Sequence, residues 1–224
     1  MTSKKQKLQA MEDNAGKVRF RRWNAMSFGS KLSIIVLGII ALSAIFAPML
    51  APHDPQAITM KGLEPSGENL FGTDHLGRDV LSRLLYGGRY SLLVGLASTG
   101  IALAIAVILG SIAAVSRKGM DELIMRIMDV IMPVPAIALA AVTVVVFRDP
   151  SNPESLIWVI IGSIGFVYIP QLTRIVRANV LSEYGKDYVN AVVVAGARAP
   201  WILARHVMRN CAAPVLVFAT LLVA

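Results

Sequence analysis

Residues 32–50 form an uncharged run of 19, built mostly from Leu, Ile, Val and Ala. A helix of that length crosses a hydrocarbon layer of about 30 Å, and a backbone deprived of water must hydrogen-bond within itself. The run therefore predicts a membrane-spanning helix. A signal peptide has a shorter apolar region and a small-residue cleavage site; here Pro48 and Pro52 close the run, and a retained span is expected. Three further runs follow, at 90–115, 130–147 and 155–172, each without a charged residue. The expected class is all-α, a polytopic helical membrane protein with four full spans and part of a fifth.

Composition agrees, with 55% hydrophobic and 16% charged residues in 224. A net charge of +8 would suggest nucleic acid in a soluble chain, but these basic residues flank apolar runs, where they set topology and meet anionic lipid. A lipid bilayer is thus the expected surroundings, and a nucleic-acid partner is not. An N-terminus on the inside places 17 Lys and Arg on the cytoplasmic side and 5 opposite, so the positive-inside rule orients the chain. Cys211 is the sole cysteine, and His53, His75 and His206 have no ligand spacing, so no disulfide, metal site or metal cofactor is expected. No nucleophile–base arrangement can be argued, so no catalytic residue is expected.

The chain divides into a basic tail at 1–30, with an interfacial helix expected near 19–28; a first span and loop at 31–88; and a multi-span region at 89–224. Within the loop, residues 76–85 carry an apolar face and read as an interfacial helix, capped by Thr73 or Asp74 and stopped by Gly87 and Gly88. Small residues at Gly95, Ser98, Thr99, Ala102 and Ala106 predict close helix packing. Pro133 and Pro135 predict a kink or break in the third span. Arg126 and Asp129, three apart, are expected to pair. Residues 211–224 are apolar but only 14 long, and a chain that stops within its fifth span is expected.

The segment 182–210 is soluble in character and lies between apolar runs. Tyr184, Tyr188, Ala191, Val192 and Ala195 recur at helical spacing, Gly196 interrupts, and Pro200 suits the first turn of a second short helix through His206. The reading is a helix, a glycine turn and a second helix. An apolar helical face offered to the cytoplasm suits a groove on another protein, and bracing of the span ends is the alternative.

Two stretches then carry a resemblance: FGTDHLGRDVLSRLLYGGRYSLLVGL at 71–96 and DYVNAVVVAGARAPWILARHVMRN at 187–210. Together they resemble the permease subunits of ATP-binding-cassette importers for dipeptides, oligopeptides and nickel, specifically the second, C-type permease of the heterodimer. The second stretch is similar to that family's cytoplasmic EAA loop. Aligned on Gly196, Asn190, Ala191 and Val192 take the EAA positions, and His206 opens the closing tetrad that ends at Arg209. The resemblance implies the type I importer transmembrane fold in a prokaryotic plasma (inner) membrane. It implies a second permease, two cytoplasmic P-loop ATPases and an extracytoplasmic substrate-binding protein as partners. It assigns ATPase coupling to the loop 174–210, with Tyr188, Asn190, Ala191, Val192, Gly196 and His206 as its residues. It offers Asp74, Arg78 and Asp79 as a contact for the binding protein, for which helix capping is the alternative reading. The sequence holds no GxxxxGK[ST] phosphate loop, so the chain is expected to be a transport subunit that uses no cofactor itself, with ATP hydrolysed by its partners.

Asn190, Val192 and Arg209 depart from the family's Glu, Ala and Pro, and Ala199 replaces a polar cap. These departures keep open a non-transporting interaction or regulatory protein that retains the loop. Nickel, glutathione and oligosaccharide stay open beside peptides as cargo, and an ion-coupled secondary carrier is a third reading.

Overall fold

A computed structural model describes residues 26–116, 118–147, 149, 151–152 and 155–223. The expected basic tail, its interfacial helix and most of the turn at 148–154 lie outside the described residues. The described residues are helical apart from loops and one isolated bridge, Thr73 with Asp79. Among them, four helices are long and apolar enough to cross a membrane, or five if one bent pair counts as a span. The chain divides in sequence at Tyr90 and Ser91 into two compact units.

The first unit opens with α1 (Phe28–Ile45), whose N-cap Ser27 accepts from the Ser30 amide. Most of its apolar side chains are exposed, as expected of a helix facing lipid. A short α2 (Ala47–Leu50) follows, with Pro48 in its first turn. The loop beyond it holds three glycines in the left-handed region, Gly62, Gly72 and Gly77, and two of them also leave no room for a side chain. At Gly72 (φ 71°) a Cβ would collide with the Leu63 carbonyl, and at Gly77 (φ 85°) it would lie 2.5 Å from the Thr59 carbonyl oxygen.

Helix α3 (Val80–Val115) corrects the expected interfacial helix. Its cap is Asp79, whose Oδ2 accepts from the Ser82 amide at 2.8 Å, and not Thr73 or Asp74. The helix does not stop at Gly87 and Gly88 but runs on to Val115, 36 residues in all. An interior glycine costs about 1 kcal/mol, too little to end a helix with an apolar span ahead of it. A Cβ at Gly88 would make only an ordinary contact with Ala44 Cβ, at 3.6 Å.

In the second unit, α4 (Lys118–Ile131) and α5 (Ala136–Phe147) form a span broken by 78° at Pro133 and Pro135, as the prolines predict. Helix α6 (Ser155–Tyr184) packs against α4, α5 and α9 (Met208–Val223). It overruns the apolar run that suggested it, because Arg174 and Arg177 find partners rather than ending the helix. Arg177 binds both carboxylate oxygens of Asp121, through Nε at 2.6 Å and a terminal nitrogen at 2.5 Å. Arg174 pairs with Asp129, which therefore does not take the expected Arg126.

The small-residue stripe behaves as its composition predicts: Ser98, Thr99, Ala102 and Ala106 are buried. The tightest approach is at Gly110, where a Cβ would lie 2.7 Å from the Thr173 carbonyl oxygen and 2.9 Å from Val176 Cβ. Thr173 and Val176 are themselves fully buried. Gly110→Ala should therefore destabilise the fold by overpacking, on the order of 1–3 kcal/mol, seen as a melting temperature several degrees lower in detergent. Gly162→Ala, where a Cβ meets nothing within 4 Å, is the matched control and should melt at or slightly above the parent temperature.

Candidate functional site

After α6 the chain turns and forms α7 (Asp187–Val194). Tyr184 closes α6, so the expected continuous apolar face from Tyr184 to Ala195 is split between two helices. Only Val189 of α7 is fully buried, packed with Val176, Val180, Ile202, Val207, Cys211 and Val215. The rest of α7 faces outward: Asn190 and Ala191 are exposed, Val192 is half-buried, and Val193 and Val194 are 46% and 87% exposed. Helix α7 is thus short, held by one apolar anchor and apolar on part of its outer surface.

The end of α7 follows from Gly196. The Gly196 amide donates to the Val193 carbonyl at 2.9 Å and the Ala197 amide to the Val192 carbonyl at 3.3 Å, the two crossed bonds of a Schellman cap. Gly196 stands at φ 85°, and a Cβ there would meet nothing within 4 Å. The requirement for glycine is thus conformational, not the relief of a steric clash.

The second helix also differs from its expected form. Four residues, α8 (Ala199–Ile202), lead through a π-turn (Leu203–Val207) straight into α9. Residues Ala199–Val223 therefore make one helical run of 25, long enough to span, where the apolar sequence alone marked 14. His206 lies on the π-turn, its ring centroid 4.9 Å from that of Trp201 and its Nε2 buried without a partner. The structure thus brings Tyr188, Asn190, Ala191, Val192 and Gly196 onto one short helix and its cap, and sets His206 apart on the following turn.

Sequence reasoning missed Glu183. Its carboxylate accepts from Lys186 Nζ at 2.5 Å, Tyr188 Oη at 2.7 Å and Asn210 Nδ2 at 2.9 Å. The Glu183 hydrogen bond raises the pKa of the Lys186 ammonium and keeps it charged; burial, then the same carboxylate, raises that of the Tyr188 phenol. The only available signal was an acidic residue at the end of an apolar helix, which local pattern cannot connect to Asn210.

In the first unit, Asp74 is a structural hub. Its Oδ1 accepts from the Leu76 and Arg78 amides, and its Oδ2 from Arg78 Nε at 3.0 Å and from Arg83 at 2.5 Å. The Arg78 amide foremost, then the Leu76 amide and the two guanidiniums, hold this carboxyl well below the usual range against partial burial. Asp79 is buried beneath as the cap of α3. Arg78 and Arg83 line a cavity of about 1240 Å³, together with Lys61, Tyr86 and Tyr90.

Comparison with known proteins supplies the context. Residues 106–224 match the family described as binding-protein-dependent transport system inner membrane component. Residues 30–65 match the N-terminal transmembrane domain of oligopeptide transport permease C. The chain is 38% identical to a di/tripeptide transport system permease protein of Pseudomonas aeruginosa, over 86% of this chain and 64% of that one. It is 35% identical to a probable D,D-dipeptide transport system permease protein of Escherichia coli, over 86% and 64%. It is 34% identical to the oligopeptide transport system permease protein of Bacillus subtilis, over 86% and 62%. The chain thus spans less than two thirds of the length of these relatives.

Asp74 yields a pH test. Because its folded pKa is depressed, its stabilisation is complete above the ordinary aspartate value of 3.8 and is lost as pH falls below it. Asp74→Asn should melt below the parent at pH 6, and the gap should close as pH is lowered towards about 2. Equal melting at pH 6 would show that the hub does not stabilise the loop.

Proposed function

The chain belongs to the inner membrane components of binding-protein-dependent transport systems, and on that premise we propose that it is the permease subunit of an ATP-driven importer of di- or oligopeptides. The observation that carries the reading is α7: a short helix anchored by Val189 and presenting Val193, Val194 and Ala191 outward, in the stretch that resembles the family's ATPase-docking loop. The names of its relatives support peptides as cargo.

In this reading the permease pairs with a second permease to form the pathway, and two cytoplasmic P-loop ATPases engage α7 and its counterpart. A substrate-binding protein delivers cargo on the opposite side. The chain needs no cofactor of its own, and ATP is hydrolysed by the partners. The charge asymmetry supports a cytoplasmic N-terminus, which puts residues 51–79 outside and α7 inside. The organisation is then a cytoplasmic tail, a first span with its outer loop, and a permease region from residue 89 whose coupling loop ends at 210. Tyr188, Asn190, Ala191, Val192 and Gly196 form the docking helix and its cap, and His206 belongs to the turn that joins it to α9. On the outer face Arg78, presented by Asp74 and the capping Asp79, is the contact offered to the binding protein.

The rate-giving property is mechanical. Closure of the ATPases displaces α7, and a displacement does useful work only if the spans have two arrangements that it biases.

Affinity purification of the native assembly through the N-terminal tail should recover a second permease with P-loop ATPases, and the assembly in vesicles should take up a labelled dipeptide only with ATP. Val194→Asp should lower ATPase recovery about fivefold or more, the effect of losing a contact worth over 1 kcal/mol. Recovery of the chain alone, without ATP-dependent uptake, would favour the non-transporting reading.

A further inference from the structure

Glu183 is the next-to-last residue of α6, and its side chain is one-tenth exposed. Its three donors come from two other elements. Lys186 is the N-cap residue of α7 and Tyr188 stands in that helix's first turn, while Asn210 stands in the first turn of α9. Asn210 Nδ2 also lies 3.0 Å from the Tyr188 oxygen, so the amide bridges carboxylate and phenol. One carboxylate thus joins the end of α6 to the start of α7 and the start of α9.

The apolar contact beside it cannot do the same work. Val189 holds α7 against Val180, Val207 and Cys211, but burial of apolar area is non-directional and permits a helix to roll or slide. Hydrogen bonds to an ionised acceptor are directional and strong. Donors arriving from both flanks fix rotation and translation together. A carboxylate this buried also requires its partners, because an unpaired one would be costly to keep.

We propose that Glu183 is a positioning residue for coupling: with Tyr188 and Asn210 it clasps α7 to α6 and α9, so that a displacement of α7 reaches both helices as one motion. This rests on α7 being the segment that the ATPases engage. The Lys186 pair is half-exposed and secondary. The essential acceptor function is that of Oε1, which receives Tyr188 and Asn210. Glutamine at 183 keeps such an oxygen; alanine does not. Exchanging the charges of residues 183 and 186 restores an ion pair but leaves Tyr188 and Asn210 without their acceptor.

The test uses the complete native assembly in vesicles with radiolabelled dialanine, and reads dipeptide taken up per ATP hydrolysed. Hydrogen exchange of the α7 amides is measured in parallel. Glu183→Ala should lower the transport-to-hydrolysis ratio about tenfold and raise α7 exchange about tenfold, while the ATPases still co-purify. Glu183→Gln should rescue both readouts to within about threefold of the parent. Tyr188→Phe, which keeps the ring and the Lys186 pair, should reproduce the alanine phenotype in milder form and serves if Glu183→Ala does not assemble. The proposal is overturned by parental exchange or a parental ratio in Glu183→Ala, or in Tyr188→Phe where the alanine variant fails to assemble. Full rescue by the double variant Glu183→Lys, Lys186→Glu overturns it too, since the ion pair alone would then suffice. If the parent assembly shows no ATP-driven uptake, the importer reading falls and the coupling role falls with it, whereas loss of coupling confined to the variants leaves that reading standing.

Discussion

In a hydrocarbon layer an unpaired backbone amide or carbonyl has no water to turn to, and the rest of this structure follows from that constraint. It makes the spans helical and leaves apolar side chains of α1 facing outward without penalty. It also removes the usual reason for helices to associate, because lipid is as apolar as leucine. What remains is close packing and polar pairing. Both are visible around α6: Gly110 brings α3 against Thr173 and Val176, Gly165 brings a second turn of α6 near the Ser98 carbonyl, and Thr143 meets Ser163 at 2.5 Å across α5 and α6.

The same constraint decides which features were legible in the sequence. Span existence depends on the length of an uncharged run, a local property, so residues 32–50 and 90–115 announce helices by themselves. The break at Pro133 and Pro135 is equally local, since each proline removes its own donor. Gly196 is legible as a turn because a glycine after a helical run supplies the left-handed residue that a Schellman cap needs. The resemblance to importer permeases carried the family, and the match over residues 106–224 agrees with it.

Legibility fails wherever a residue has several possible partners. Asp129 has Arg126 three residues away and Arg174 45 residues away, and it takes the distant one, which periodicity cannot rank. Gly87 and Gly88 read as a stop because their cost is local, but the apolar span beyond them outweighs that cost. The last helix is underestimated for a related reason. Basic residues Arg205 and Arg209 interrupt the apolar pattern, yet the helical run passes Arg205 by a π-turn and continues through Arg209. In the candidate site, spacing grouped Tyr188, Ala191 and Val192 on one face, yet Val192 packs against the core and the most exposed apolar residues are Val193 and Val194; the anchor, Val189, is visible only once the packing partners on α6 and α9 are known.

Helix α6 is the element these interactions share. It meets α3 at Gly110, α4 through Arg174 and Arg177, α5 through Ser163, and α7 through Glu183, so a movement entering at its end is felt by every helix of the second unit that it touches. Within the turn 173–177 of α6 the contacts differ in kind from face to face. Near Gly110 they are tight, apolar and intolerant of added volume; at Arg174 and Arg177 they are partly exposed ion pairs, which bend and re-form at little cost. Glu183 lies about two turns beyond Val176, towards the C-terminal end of α6. There a buried, three-donor carboxylate joins the end of α6 to α7 and α9, so the close-packed turn and the polar clasp act on the same end of the helix.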